Sequence, residues 1–247
     1  MLSDLEYILK DKYHNKINKK NIKSLINDLV LISKNYPRDY IIGYVDFLNC
    51  KIDLSKKPLI PRVETEYWIE KNISLIKKHF KSNQKIKVLD IFSGSGCLGI
   101  AIAKNIKNSI VDFSDIDQNM LKQIKINLKL NNIKNYKKII KSDIFSKIKG
   151  KYDVILANPP YVPYSDVVKA PYEPQKAIIA GKDGLRIIQP FISKIKQFLN
   201  KHGILIMEFH PDRVKEIKTM LKKHDLNNFE FYKDQYNRNR YMIITIT

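Results

Sequence analysis

A chain of 247 residues, 44% of them hydrophobic, is long enough to bury a sizeable core and fits one large domain with a modest extension. No apolar run approaches the roughly 20 residues that cross a bilayer, and "MLSDLEYILK" carries acids where a targeting peptide avoids them, which excludes spanning and export and predicts a cytoplasmic protein, with the mitochondrial matrix as alternative. The formal charge of +20 points toward polyanions, but lysine far outnumbers arginine and is scattered with Asn and Ile through every segment, a coding bias rather than a dense basic groove, so direct nucleic-acid binding is expected to be secondary.

In chain order, Leu2, Leu5, Ile8 and Leu9, then Ile22, Leu25, Ile26, Leu29 and Val30, recur at helical spacing around a polar joint at 15–21. This predicts a small helical unit over residues 1–38. The stretch "YIIGYVDFLNCKIDLSKKPLIPRVETE" is rich in β-branched and aromatic residues with turn signals, which predicts a hairpin linker over residues 39–62 and a helix over about 65–80. Cys50 and Cys97 lack any C-x-x-C or histidine company, so neither zinc nor a disulfide framework is signalled, and no metal is expected.

From residue 85 onward, short apolar runs alternate with amphipathic helices: "IKVLDI", a helix over 97–106, "SIVDFSD", a helix over 119–130, "YKKIIKSD", "YDVILAN", a helix over 185–199, and "GILIMEF". That alternation predicts an open, mostly parallel α/β sheet within a domain over 63–247. "FEFYKD" and "RYMIITIT" follow with little helix between them and predict an antiparallel edge hairpin, giving seven strands in all.

Ligands of such sheets sit beyond the carboxyl ends of the strands. In "VLDIFSGSGCLGIAIA", Asp90 closes a strand and Gly94, Gly96 and Gly99 surround a helix entrance, where backbone can approach a ligand closely. Asp115, roughly 20 residues on and again after a strand, stands where a nucleoside ribose needs an acid. The alternatives are a helix cap before "DQNMLKQ" and Asp112 as the acid. Asp143 in "KSDIF" follows the next strand; it can accept from an exocyclic amine while Ile144 and Phe145 cover a purine face, although Ser-Asp is also an ordinary turn.

The fourth strand delivers Asn158, Pro159, Pro160 and Tyr161. The prolines donate nothing, keep their carbonyls as acceptors and stiffen the chain. Asn158 Oδ1 and the Pro159 carbonyl can therefore take both N–H groups of a planar –NH2, with Tyr161 stacked on the planar group and its π face toward a cation.

Together with "LIPRVETE" at 59–66, "YEPQKAIIAGKDGL" at 172–185 and "NRNRY" at 237–241, this order of glycine turn, ribose acid, "SD" and "NPPY" resembles the HemK/PrmC family of release-factor glutamine methyltransferases. The resemblance runs from about residue 40 to the end of the chain. It implies an α/β class I methyltransferase fold of seven mostly parallel strands with an antiparallel edge hairpin and a small N-terminal helical domain that contacts substrate. It implies S-adenosyl-L-methionine as cofactor, held by Phe92, Ser93, Gly94, Ser95, Gly96, Asp115, Ile116, Asp143, Ile144 and Asn158. The substrate is then the glutamine of the Gly-Gly-Gln loop of a class I peptide-chain release factor, the protein of translation termination. Asn158, Pro159, Pro160 and Tyr161 carry the catalysis, and Arg62 and Glu173 either hold the substrate loop or pair with each other. Two positions depart from the family: Phe92 replaces the first glycine of the turn, and Val63 replaces a proline.

No general base is demanded, and none of the five histidines has a shared context; His210, after the fifth strand, is closest in topology. A monomer is expected. The rivals are an N-methyltransferase acting on an exocyclic amine of adenine or guanine in RNA or DNA, and a non-catalytic RNA-binding module with a cofactor-shaped pocket.

Overall fold

The structure, a computed structural model, describes residues 3–166 and 171–247; Leu2, first of the predicted helical stripe, lies outside the described residues. The chain opens with α1 (Asp4–Asp11), entered through a capping box in which Ser3 Oγ accepts from the Glu6 N–H and the Glu6 carboxylate accepts from the Ser3 N–H. Helix α2 (Ile22–Ser33) and the short α3 (Arg38–Ile42) complete the N-terminal unit. Its core is small: Ile8, Tyr13 and Ile41 are buried, with Leu25, Leu31 and Ile32 packed on them. Buried Asp28 ties the helices together, accepting from Tyr13 Oη at 2.6 Å and Lys12 Nζ at 2.8 Å.

One expectation is corrected by α3: residues 39–42, assigned to the hairpin linker, are helical, ended by Gly43 at φ +93°. The stripe on α2 is helical, but Ile22, Ile26, Leu29 and Val30 face outward, each more than two-fifths exposed.

Strands β1 (Tyr44–Phe47) and β2 (Cys50–Asp53) form the predicted hairpin, closed by Leu48 and Asn49 with φ of +46° and +62°, the left-handed pair of a tight two-residue turn. Glu66 accepts from the Leu48 N–H at 2.7 Å and pins that turn. Helix α4 (Val63–His79) follows, then β3 (Ile86–Ile91), α5 (Cys97–Asn105), β4 (Ser109–Asp115), α6 (Gln118–Leu130), β5 (Tyr136–Lys141) and β6 (Tyr152–Ala157). The side-chain amides of Gln123 and Asn127 on α6 and of Asn131 at its C-terminal cap, each about one turn apart, satisfy backbone groups along and just after β2 and so fasten the hairpin to the domain.

After α7 (Ile188–Phe198) come β7 (Leu199–Glu208), α8 (Val214–Lys223), β8 (Phe229–Lys233) and β9 (Asn239–Thr245). The sheet order is β5-β4-β3-β6-β7-β9-β8. The first five strands run parallel, and β9 pairs antiparallel with β7 and β8, as the edge hairpin predicted. Helix α8 had no counterpart in the sequence reading: only Ile217 and Leu221 are fully buried, with Val214 and Met220 packed beside them among Lys215, Glu216, Lys218 and Thr219.

Both faces of the sheet are covered, which is why β3 and β6 are mostly apolar, with only Lys87 and Asp153 less than fully buried. Val88, Val111, Val154 and Ile206 point to the side of α4, α5, α6 and the hairpin. Leu89, Ile155, Leu205 and Met242 point to the side of α7 and α8. The carboxyl ends of β3, β4, β5, β6 and β7 therefore open together on one rim.

Candidate active site at the strand ends

At the end of β3 the chain turns sharply into α5. Phe92, Gly94 and Gly96 have φ of +61°, +52° and +81°. Phe92 thus keeps the left-handed backbone that favours glycine, at a cost of about 1–2 kcal/mol for an L-residue, and its ring packs edge-on against Phe191 at 5.5 Å. Ser93 Oγ donates to the Asp90 carbonyl at 2.7 Å and accepts from the Ser114 N–H at 3.0 Å, joining the ends of β3 and β4. The Asn127 amide donates to the Ser95 carbonyl at 2.9 Å. A Cβ built on Gly94 meets nothing within 4 Å, so the turn has open space beside it.

Asp115 closes β4 and accepts from the Gly94 N–H and the Asp117 N–H, both at 2.8 Å. Burial raises its pKa, against those two hydrogen bonds. The cap of α6 is Asp117, whose side chain accepts from the Asn119 N–H, so Asp115 is not the helix cap. Asp112 lies within β4, buried, and accepts from Tyr152 Oη at 2.9 Å. Of the two acids weighed for the ribose, Asp115 is the one at the rim. Asp90, buried under the turn, accepts from the Gly99 N–H at 2.9 Å through Oδ2, while Oδ1 has no partner among the described residues; burial pushes its pKa up to about 7.

Around this turn stand Ile116, more than half exposed, and Asp143, also exposed. Ile144 holds φ +46°, an unusual conformation for a β-branched residue. Phe145 is a correction: it is buried, stacked between Phe191 and Phe198 at 5.2 and 4.1 Å, and is not available to cover a purine.

The end of β6 forms one wall of a cavity of about 250 Å³, lined by Asn158, Pro159 and Tyr161 with Arg62, Val162 and Glu208 among its other walls. Arg62 forms an ion pair with the buried Glu173, so of the two roles weighed for this pair the mutual contact is present, and only Arg62 faces the cavity. Tyr161 Oη donates to Glu208 Oε1 at 2.7 Å and lies 3.5 Å from Arg240 Nη1. Arg240, from "NRNRY", is held by Asp234 at 2.9 Å. His210 packs edge-on to the Tyr161 ring at 6.3 Å, and burial lowers its pKa although Asp212 and Asp166 oppose the shift.

The segment "YEPQKAIIAGKDGL" acts as a strap. Val162 and Tyr164 donate backbone N–H groups to the Ile178 and Gly181 carbonyls, and Ala180 donates to the Val162 carbonyl. Gly184 closes the strap at φ +77°, where a Cβ would lie 2.2 Å from the Tyr161 carbonyl oxygen. Gly184→Ala is therefore expected to push Tyr161 off position. Its left-handed backbone alone costs about 1–2 kcal/mol, so thermal unfolding should show a lowered Tm and enzyme assays a loss of turnover larger than any loss of cofactor affinity.

Sequence reading missed Glu208, Thr65, Trp68 and Gly184. The one signal for Glu208 was an acid closing the apolar run "GILIME". Buried Glu208 accepts from Thr65 Oγ1 at 2.6 Å, Trp68 Nε1 at 2.7 Å and Tyr161. Asn158 Nδ2 lies 3.5 Å from Thr65 Oγ1. With its –NH2 turned to Thr65, Asn158 presents Oδ1, and Pro159 adds only a carbonyl, so this wall of the cavity is an acceptor surface for a planar N–H2 group; Pro160, also predicted for the site, is not among the lining residues.

Residues 67–245 match the family model of the methyltransferase small domain. The chain is 34% identical to the release factor glutamine methyltransferase of Borreliella burgdorferi over 85% of this chain and 76% of that protein. It is 34% identical to the protein of the same name from Thermodesulfovibrio yellowstonii, over 78% of this chain and 70% of that one. For the Buchnera aphidicola protein, again of that name, the figures are 36% identity, 78% and 69%. Among solved structures, ribosomal protein L11 methylase from Lactobacillus delbrueckii superposes with a TM-score of 0.54 at 19% identity, covering 78% of this chain and 82% of that one. The hMettl16 catalytic domain, in complex with a 3'UTR hairpin, gives a TM-score of 0.61 at 15% identity, covering 81% and 78%. At these identities the likeness is one of fold.

Proposed function

Since the chain belongs to the methyltransferase small-domain family and, within it, to the release factor glutamine methyltransferases, we propose that it methylates the side-chain amide nitrogen of the glutamine in the Gly-Gly-Gln loop of a class I peptide-chain release factor. The cofactor is S-adenosylmethionine, which supplies an electrophilic methyl group on a sulfonium. The residues present fit it: a left-handed turn with open space at Gly94 and an acid at the next strand end in Asp115, which accepts from the Gly94 N–H. Phe92, Ser93, Gly94, Ser95 and Gly96 would hold its amino-acid end, Asp115 and Ile116 its ribose, and Asp143 and Ile144 its adenine.

The observation that carries the reading is that Asn158, Pro159 and Tyr161 share one cavity with Arg62. A glutamine amide is a feeble nucleophile because its lone pair is delocalised into its carbonyl. Asn158 Oδ1 and the Pro159 carbonyl accept its two N–H groups, polarise the nitrogen and fix its direction. Leu59, Val162 and Ile178 exclude water around it. Orientation of this kind supplies ~7–11 kcal/mol of a barrier in favourable cases. The proton leaves after transfer, so no base is assigned.

The domains divide the work: the N-terminal unit, expected over residues 1–38 and extended by α3 to Ile42, docks the partner, the hairpin segment up to Arg62 links, and 63–247 catalyse. The outward apolar row Ile22, Ile26, Leu29 and Val30 supports that docking role. No described helix is long and apolar enough to cross a membrane, and the bacterial relatives support action in the cytoplasm.

The charge of +20 is what favours a nucleobase amine as the rival acceptor. Incubation with labelled S-adenosylmethionine and a release factor, its Gln→Ala variant, or total RNA and DNA separates the two. Label is expected on the release factor alone and to vanish with the variant; label on nucleic acid and none on the release factor would overturn the reading.

A further inference from the structure

We propose that Thr65, oriented by Glu208, is a positioning residue that decides which end of the Asn158 side-chain amide faces the cavity; the inference rests on the site accepting a planar amide as described above. A carboxamide fits its pocket in two nearly isosteric ways, related by a flip that exchanges oxygen and –NH2. Only one of them gives the cavity an acceptor. The flip is set by whatever lies against the other end, and here that is Thr65 Oγ1, 3.5 Å from Asn158 Nδ2.

A threonine hydroxyl by itself settles nothing, because it donates or accepts equally well. Glu208 removes that freedom. Trp68 Nε1 can only donate, and it lies 2.7 Å from Glu208 Oε2, so that oxygen is an acceptor. Thr65 Oγ1 lies 2.6 Å from the same oxygen and must direct its proton there. The hydroxyl oxygen is then left as an acceptor, which suits the –NH2 end of Asn158 and rejects its carbonyl end. Glu208 itself cannot turn: it is 1% exposed and its other oxygen is held by Tyr161 Oη at 2.7 Å.

The chain of donors therefore runs in one sense, from Asn158 to Thr65 to Glu208, and ends on an acid that lies at the carboxyl end of the neighbouring strand. Reversing any link would present –NH2 to a substrate –NH2. The contact is long for a hydrogen bond, so its role is to choose between two faces of the amide rather than to stabilise the fold.

Thr65→Val keeps the shape and removes the acceptor, and Thr65→Ser keeps the acceptor. The test is steady-state methyl transfer to a release factor by the full chain, with S-adenosylhomocysteine affinity measured by calorimetry and folding followed by circular dichroism. Thr65→Val is expected to lower kcat by up to ~100-fold, the scale of a small misplacement of a reacting group. KM for the release factor and Kd for S-adenosylhomocysteine should stay within a few fold, and Thr65→Ser should recover most of the lost kcat. Thr65→Val at wild-type kcat, or Thr65→Ser as impaired as Thr65→Val, would overturn the proposal alone. Wild-type protein that leaves the release factor unmethylated overturns the functional reading beneath it.

Discussion

Asn158→Ala is expected to lower kcat by ~10²–10³-fold, the scale seen when one preorganised hydrogen-bonding group is removed from a reacting centre, while affinity for S-adenosylhomocysteine changes only a few fold. Alanine removes the Oδ1 acceptor and leaves the Pro159 carbonyl alone, so the amide loses one of its two fixed directions. It leaves the glycine turn and Asp115 untouched, since the turn follows β3 and Asp115 ends β4. Stopped-turnover kinetics beside calorimetric binding check this. Parallel loss of turnover and cofactor affinity would place Asn158 in cofactor binding only.

The second large effect is on stability. Glu208→Ala strands three donors, Thr65 Oγ1, Trp68 Nε1 and Tyr161 Oη, around a buried hole. Breaking a buried charged network by removing one partner costs about 3–5 kcal/mol. For a chain of this length that corresponds to a fall in Tm on the order of 10 °C. Glu208→Gln, which keeps an oxygen for Thr65 and Trp68, should fall by much less. Equal melting temperatures for wild type and Glu208→Ala would show that the carboxylate does not hold the network.

Much of the domain was legible because the sheet is covered on both faces. Strands buried on both faces are mostly apolar, so "IKVLDI", "SIVDFSD" and "YDVILAN" stand out from their flanks, the last running one residue past β6. Helix α8 was not legible, since two buried residues among lysines leave too thin a stripe. Helix α3 was misread because Tyr40, Ile41 and Ile42 favour strand by type, whereas Ile41 and Ile42 pack in the cluster of Ile8 and Tyr13, far away in sequence, and Tyr40 packs on the main-domain core. Strand β7 begins at Leu199, four residues before the apolar run, through an irregular pairing beside Tyr152.

The site was legible in its acceptors and not in their support. Asn158 to Tyr161 are contiguous, so the chemistry of the segment is visible in one line of sequence. The groups that orient them come from afar: Glu208 meets Thr65 across 143 positions, Trp68 across 140 and Tyr161 across 47. No local pattern signals such a convergence. In "IPRVETE" the structure gives three polar groups separate places: Arg62 faces the cavity and pairs with Glu173, Thr65 meets Glu208, and Glu66 pins the hairpin turn. The segment thus reads as a junction between the linker, the substrate cavity and the fifth parallel strand.

The most direct measurement of the central claim is fragmentation mass spectrometry of a release factor after incubation with the protein and S-adenosylmethionine. The account predicts one added methyl group, on the side-chain nitrogen of the Gly-Gly-Gln glutamine, with its yield at matched early times strongly reduced when Asn158→Ala replaces the wild type. A methyl group on any other residue, or its appearance at that glutamine with undiminished yield from Asn158→Ala, would contradict it.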